Sequence, residues 1–205
     1  MMVVRTLAVM VVVLACLMGC SAHRPSAESS AQPRPSWAGM EAPAGYRLPD
    51  MALKDTRGHS FNLRSTTTAP IVVVTFGYCD SPGLTPTSLK RLADALAELD
   101  AGQRAKVEVV FISIDDDDSG PELRECLGHY DSDWIGLHGS GSKVKEVARA
   151  MGVDIRKNES DSREKYAYSP QIVGFGPDRS ARVVWLPDHD ATAIAADLTV
   201  LTGQP

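Results

Sequence analysis

The chain has no excess of base. Its 21 Lys and Arg stand against 26 Asp and Glu, a formal net charge of −5, whereas a nucleic-acid partner demands clustered Lys and Arg. Nucleic acid is therefore excluded as a partner. Long apolar runs are equally scarce. The one at Leu7 to Met18 falls short of the about 20 residues that a spanning helix needs. Cysteine is sparse, with four in 205 residues. Two of these, Cys16 and Cys20, belong to the N-terminal leader, so only Cys79 and Cys126 stay in the main body. His59, His129, His138 and His189 show no ligand spacing, which leaves no histidine-based metal box. No internal repeat is visible, so a solenoid is excluded.

What is present begins with a targeting segment. Residues 1–19 combine the basic Arg5 with an apolar run that ends in Leu17-Met18-Gly19-Cys20, which fits a bacterial lipoprotein signal. Acylation of Cys20 would tether the chain to a membrane, because several buried acyl chains hold far more firmly than one. Ser21 follows the cysteine in place of Asp, which favours the outer over the inner membrane. The expected location is the bacterial cell envelope, facing the periplasm. Residues 20–44 are rich in Ser, Ala and Pro without a periodic apolar face and read as a flexible tether.

Residues 45–205 suit one domain. Met51–Leu53 and Ser60–Leu63 flank the turn Asp55-Thr56-Arg57-Gly58 and predict a β-hairpin. Ile71–Phe76 and Val107–Ile114 are β-branched runs of the kind found in strands buried on both faces. Thr85 as N-cap and Pro86 at the first helical position predict a helix whose Leu89, Leu92, Ala93 and Leu96 share one face. Further helices are expected from Pro121, over Lys143–Met151 with Gly152 at its end, and from Asp190 to Leu201. Gln171–Phe175 and Ala181–Trp185 read as a closing hairpin. Alternating strands and helices predict an α/β domain with a mainly parallel sheet.

The stretch Phe76-Gly77-Tyr78-Cys79-Asp80-Ser81-Pro82-Gly83-Leu84-Thr85-Pro86 resembles the signature F-x-Y-T-x-C-P-x-x-C-P of the Sco/SenC copper chaperones. Ile112–Asp115 with Gly120-Pro121-Glu122, Trp134–Gly139 and Ala150–Val153 resemble further landmarks of that family, in the same order. The resemblance implies a thioredoxin-like fold of Sco/SenC type, a mixed sheet flanked by helices with an N-terminal β-hairpin. It also implies a role near cytochrome c oxidase biogenesis or copper homeostasis. Family members bind copper through two thiolates and an imidazole. The corresponding positions here hold Ser81, Thr85 and, nine residues before Pro177, Tyr168. Neutral hydroxyls are poor copper ligands, and thiol–disulfide exchange needs a thiolate. No cofactor and no catalysis are expected at this site. The chain then reads as a binding or assembly-accessory protein with an oxidase-assembly component as partner.

Several other residues have two readings. Likeness to thioredoxin-type reductases implies a cis bond at Pro170, placing Tyr168 over the Ser81–Thr85 turn. Cys79 is either an inert half-buried thiol or the working group of a redox enzyme. Cys126 is either a core residue or its disulfide partner. Asp115, Asp116, Asp117 and Asp118, with Asp80 across the mouth, are either a solvated acidic loop or oxygen donors for Ca²⁺ or Mg²⁺.

Overall fold

A computed structural model describes residues 36–159 and 163–203. The lipoprotein signal, Cys20 and the first part of the tether lie outside these residues. Ten strands and five helices follow in the order β1 (Met40–Glu41), β2 (Ala52–Asp55), β3 (Ser60–Asn62), β4 (Ile71–Gly77), α1 (Leu84–Ala97), α2 (Ala101–Arg104), β5 (Val107–Ser113), α3 (Gly120–Gly128), β6 (Ile135–His138), α4 (Gly141–Ala150), β7 (Ile155–Lys157), β8 (Tyr166–Tyr168), β9 (Ile172–Phe175), β10 (Ala181–Trp185) and α5 (Ala191–Thr202).

Eight strands form one mixed sheet in the order β1-β10-β9-β4-β5-β6-β2-β3. Its centre, β4-β5-β6, is parallel; β9 lies antiparallel on the far side of β4, and the β2–β3 hairpin closes the opposite edge. All seven residues of β4 are buried, so its side chains feed two cores in alternation. Val72, Val74 and Phe76 face the core under α4, where Val144, Val147, Ala148 and Met151 pack. Ile71 and Val73 face the core under α1, α3 and α5. The α/β reading and the N-terminal hairpin are thus as the sequence predicts, but the sheet is not mainly parallel. Only β4–β5 and β5–β6 pair in parallel, because β9, β10 and the β2–β3 hairpin add antiparallel strands on both sides. β7 and β8 form a separate two-stranded ribbon that lies beside the carboxyl ends of the central strands.

Local chemistry sets the element ends. Ser119 and Glu122 form a reciprocal capping box on α3. Gly152, at φ +68°, follows α4, and the amide of Val153 reaches back to the carbonyl of Ala148, a left-handed ending that glycine permits. Among the described residues no helix is long and apolar enough to cross a membrane.

Three further expectations need correction. Residues 36–44 belong to the domain, because β1 pairs with β10 and the amides of Ala38 and Gly39 donate to the Asp197 carboxylate at 2.7 and 2.8 Å. A buried carboxylate in α5 holds what composition alone would call tether. α1 starts earlier than expected, with Gly83 as N-cap and Leu84 as its first residue, because the Thr85 hydroxyl is turned back to the strand instead of capping. Finally, the Ser169–Pro170 bond is trans. Trans is the lower-energy isomer by about 0.5–1 kcal/mol. Gln171 meanwhile anchors the passage into β9, through its side-chain amide on the Met151 carbonyl (3.1 Å) and its own carbonyl, which accepts from Thr75 (3.2 Å).

Candidate functional site

β4 delivers its carboxyl end to the mouth of the parallel sheet, the place where open α/β sheets bind ligands. Gly77 is the last strand residue, and a Cβ there would sit 2.6 Å from Thr85 Oγ1 and 2.9 Å from Phe111. Only glycine lets Thr85 fold back this closely. The Thr85 hydroxyl accepts the Tyr78 amide at 3.1 Å, and Ser81 Oγ accepts the Thr85 amide at 3.1 Å. Ser81 therefore serves the α1 N-terminus that Thr85 was expected to cap. Both are almost fully buried, at 6 and 2% exposure.

Tyr168 is brought in by β8. Its hydroxyl shares a hydrogen bond with Thr85 Oγ1 at 2.9 Å, and burial pushes the phenol up to about 12. Although Pro170 is trans, Tyr168 does lie over the turn. The three positions Ser81, Thr85 and Tyr168 thus converge, as the sequence reading required.

A fourth residue, absent from that reading, completes the cluster. Glu164, just before β8, places its carboxylate against the turn. It accepts from the Tyr78 hydroxyl, from Ser81 Oγ at 3.0 Å and from the Leu84 amide at 3.1 Å. Burial works against its charge, but these donors together with the Gly83 amide outweigh it and hold the carboxyl below the usual glutamate range. The positive end of α1 adds to the same effect. The amide of Lys165 donates to the Tyr78 oxygen at 2.9 Å, so the strap is fixed at two adjacent residues. The Tyr78 ring meets Tyr166 and Tyr168 edge-on, with centroids 5.4 and 6.4 Å apart.

The donor set is thus two aliphatic hydroxyls, a phenol and a carboxylate, each already engaged within the protein. Copper chaperoning calls for soft thiolate and imidazole donors, and these residues do not fit it.

The acidic run does not gather around a common metal position. Asp115 is buried and receives Lys165 Nζ at 2.6 Å and the Tyr166 hydroxyl at 3.2 Å. Asp117 takes the same ammonium at 2.8 Å, and Lys165 is raised by its bonds to these two carboxylates. Asp118 accepts from Ser113 at 2.6 Å and from the Cys79 amide at 3.2 Å. Burial raises its carboxyl, with Asp115 and Asp80 adding to the effect. Asp116 faces Gly141 at the start of α4. Among the described residues no three His, Cys, Asp or Glu side chains gather as a metal site, and this corrects the Ca²⁺/Mg²⁺ reading. Asp115 and Asp117 share the Lys165 ammonium, and Asp118 holds Ser113 and the Cys79 amide instead.

Cys79 and Cys126 are free, half-buried thiols. The neighbouring Cys126 side chain, burial and the nearby Asp118 raise the Cys79 thiol.

Comparison with known proteins bears on the family and the fold. The SCO1/SenC family model matches residues 46–203. A Stutzerimonas stutzeri protein named for copper binding is 25% identical over 142 residues, covering 68% of this chain and 69% of that protein. Two longer mitochondrial SCO1 homologues of Arabidopsis thaliana are matched over only 34 and 37% of their own lengths. Among solved structures, apo Sco1 of Thermus thermophilus superposes with a TM-score of 0.69 at 24% identity, covering 81% of this chain and 97% of that one. A SCO1/SenC family lipoprotein from Bacillus anthracis superposes with a TM-score of 0.66 at 16% identity, over 78 and 96% of the two chains. The fold and the breadth of the match establish that the chain belongs to the SCO1/SenC family.

Proposed function

We propose that this chain is a member of the family that no longer handles copper or thiols at the family's site and acts instead as a membrane-tethered binding or assembly-accessory protein in the bacterial envelope. One observation carries the reading. The three ligand positions converge as Ser81, Thr85 and Tyr168, and their hydroxyls are spent on one another, on the α1 N-terminus and on Glu164. A scaffold that keeps its geometry while its donors are replaced is suited to recognition and not to metal transfer. Its partner is a component of oxidase assembly or copper homeostasis, in keeping with the family resemblance. The lipobox at Cys20 and the likeness to a family lipoprotein support tethering, with the outer membrane favoured by Ser21.

The test is Cu(I) competition against a chromophoric chelator. The protein is expected to leave the chelator fully loaded at one equivalent. A tight one-to-one copper complex that survives replacement of Cys79 and Cys126 by serine would overturn the proposal. The tether has its own test: Cys20→Ala should move the protein from the membrane to the soluble fraction.

A further inference from the structure

Arg91 lies midway along α1, and only one nitrogen of its guanidinium is satisfied. Nη1 donates to the Pro187 carbonyl. Nε and Nη2 are buried, and among the described residues neither has a hydrogen-bond partner. Burial disfavours the charge. Asp188, the carboxylate that acts on it, lies instead against His189 Nδ1 at 3.2 Å with its side chain 82% exposed. A buried charge without a partner is costly, and such a group in a native fold calls for an explanation. Nε and Nη2 are also the two nitrogens whose N–H bonds run side by side, the fork that takes both oxygens of a carboxylate.

The same arginine forms part of the wall of a cavity of about 340 Å³ beside the Ser81–Thr85 turn. Leu84, Pro170 and Pro187 give the cavity an apolar lining, and Thr87 adds a hydroxyl. Leu84 is 37% exposed despite its apolar side chain. Glu164 borders the cavity too, but its oxygens already take the Tyr78 and Ser81 hydroxyls and the Leu84 amide. It leaves the Arg91 fork unpaired.

We propose that this cavity binds a carboxylate that carries a small branched apolar body, with both oxygens on the Arg91 Nε–Nη2 fork and the body against Leu84, Pro170 and Pro187. A cavity of this volume and lining, with one convergent charged group, is of the kind that holds small ligands. Both nitrogens are covered in this structure, so the carboxylate enters as the Arg91 stem or the exposed Leu84 swings aside. The site goes beyond the proposed function and stands without it, since Arg91 takes no part in the hydroxyl cluster.

The experiment is a titration of the ¹⁵N-labelled full chain, in detergent, followed by NMR at the Arg91 Nε–Hε signal and the amides of Leu84, Thr87 and Ser88. The probes are isovalerate, a free acid, and N-acetyl-leucine, which carries the same isobutyl group beside a polypeptide-like carboxy terminus. At least one should shift these signals saturably and move Hε downfield. Preference for isovalerate assigns the site to free acids and preference for N-acetyl-leucine to polypeptide carboxy termini; either supports the proposal. Isovaleramide has the same body without the charge and should bind about tenfold more weakly than isovalerate, as the loss of a charge-assisted bond requires. Arg91→Lys keeps the charge but loses the fork, and should weaken the binding acid by about tenfold, read at the Leu84 and Thr87 amides. Arg91→Leu should abolish the shifts; if circular dichroism shows it unfolded, Arg91→Lys carries the test. No saturable shift with either acid, equal binding of isovaleramide and isovalerate, or undiminished binding by Arg91→Lys would each overturn the proposal.

Discussion

The Glu164 carboxylate accepts the Ser81 hydroxyl at 3.0 Å, joining the strap before β8 to the turn after β4. Ser81 stands where the Sco/SenC signature has its first cysteine, so an internal carboxylate touches the position that carries a thiol in that signature. The same carboxylate takes the Leu84 amide. Through these two contacts the protein's own side chains tie the turn in place.

Removing that carboxylate should loosen the turn. Glu164→Ala leaves the Tyr78 and Ser81 hydroxyls and the Leu84 amide short of an acceptor. The expected cost is about 1–3 kcal/mol, measured by urea denaturation. The pH dependence follows from the lowered folded value of Glu164. Its contribution is fully present above the ordinary glutamate pKa and is lost as pH falls through the folded value. The gap between parent and Glu164→Ala should therefore narrow on acidification through the carboxylate range. A gap that stays constant there would assign the loss to packing alone.

Gly77 is the second determinant of the turn. In Gly77→Ala the new Cβ would meet Thr85 Oγ1 at 2.6 Å, Thr85 Cγ2 at 2.7 Å and Phe111 at 2.9 Å. Overpacking of this kind costs about 1–3 kcal/mol. Thr85→Ala removes two of the three contacting atoms, so the double variant should cost less than the two single ones together. A coupling of about 0.5 kcal/mol or more in the cycle is expected; strict additivity would show that the backbone relaxes instead.

The parts of this structure legible in the sequence are those written in local pattern. β4 and β5 announce themselves because strands buried on both faces need unbroken β-branched runs, and the hairpin 51–63 is marked by its turn. The convergence of Ser81, Thr85 and Tyr168 was legible only through the family motif. What escaped depends on distant partners. Glu164 sits in a polar stretch without periodicity, 83 residues from Ser81, and nothing local marks it as the residue that fills the site. Met40 and Glu41 look like tether until Asp197, 159 residues beyond Ala38, is known to hold the segment. Thr85-Pro86 mimics a cap because a hydroxyl before proline usually is one. Its actual bond, to Tyr78, depends on the close approach that Gly77 permits.

The Asp197 latch makes a direct prediction about where the tether starts. The carboxylate is 1% exposed and accepts the amides of Ala38 and Gly39 and the Trp185 indole N–H at 2.8 Å. Asp197→Ala leaves three donors unsatisfied. A loss of about 3 kcal/mol is expected, with faster hydrogen exchange at Ala38, Gly39 and Met40 than elsewhere in the sheet. Uniform acceleration across β4 and β5 would indicate global destabilisation and not a released segment.

Restoring a copper site should require four changes and not three. Ser81→Cys, Thr85→Cys and Tyr168→His supply two thiols and an imidazole at positions that already converge, with Thr85 and Tyr168 2.9 Å apart at their hydroxyls. Glu164 would remain, however, hydrogen-bonded to the Leu84 amide and pressed against the residue at position 81. Its negative charge disfavours ionisation of an adjacent thiol, since like charges raise a thiol pKa. The triple variant should therefore bind Cu(I) in competition with a chelator more weakly than the quadruple variant with Glu164→Ala, by about tenfold for each pKa unit the carboxylate imposes on the metal-binding thiols. The advantage should shrink as pH rises and the thiols ionise regardless. Equal affinity of triple and quadruple variants at neutral pH would mean that the strap swings away when metal binds. Failure of both to bind would mean that the turn no longer presents positions 81, 85 and 168 to a single ion.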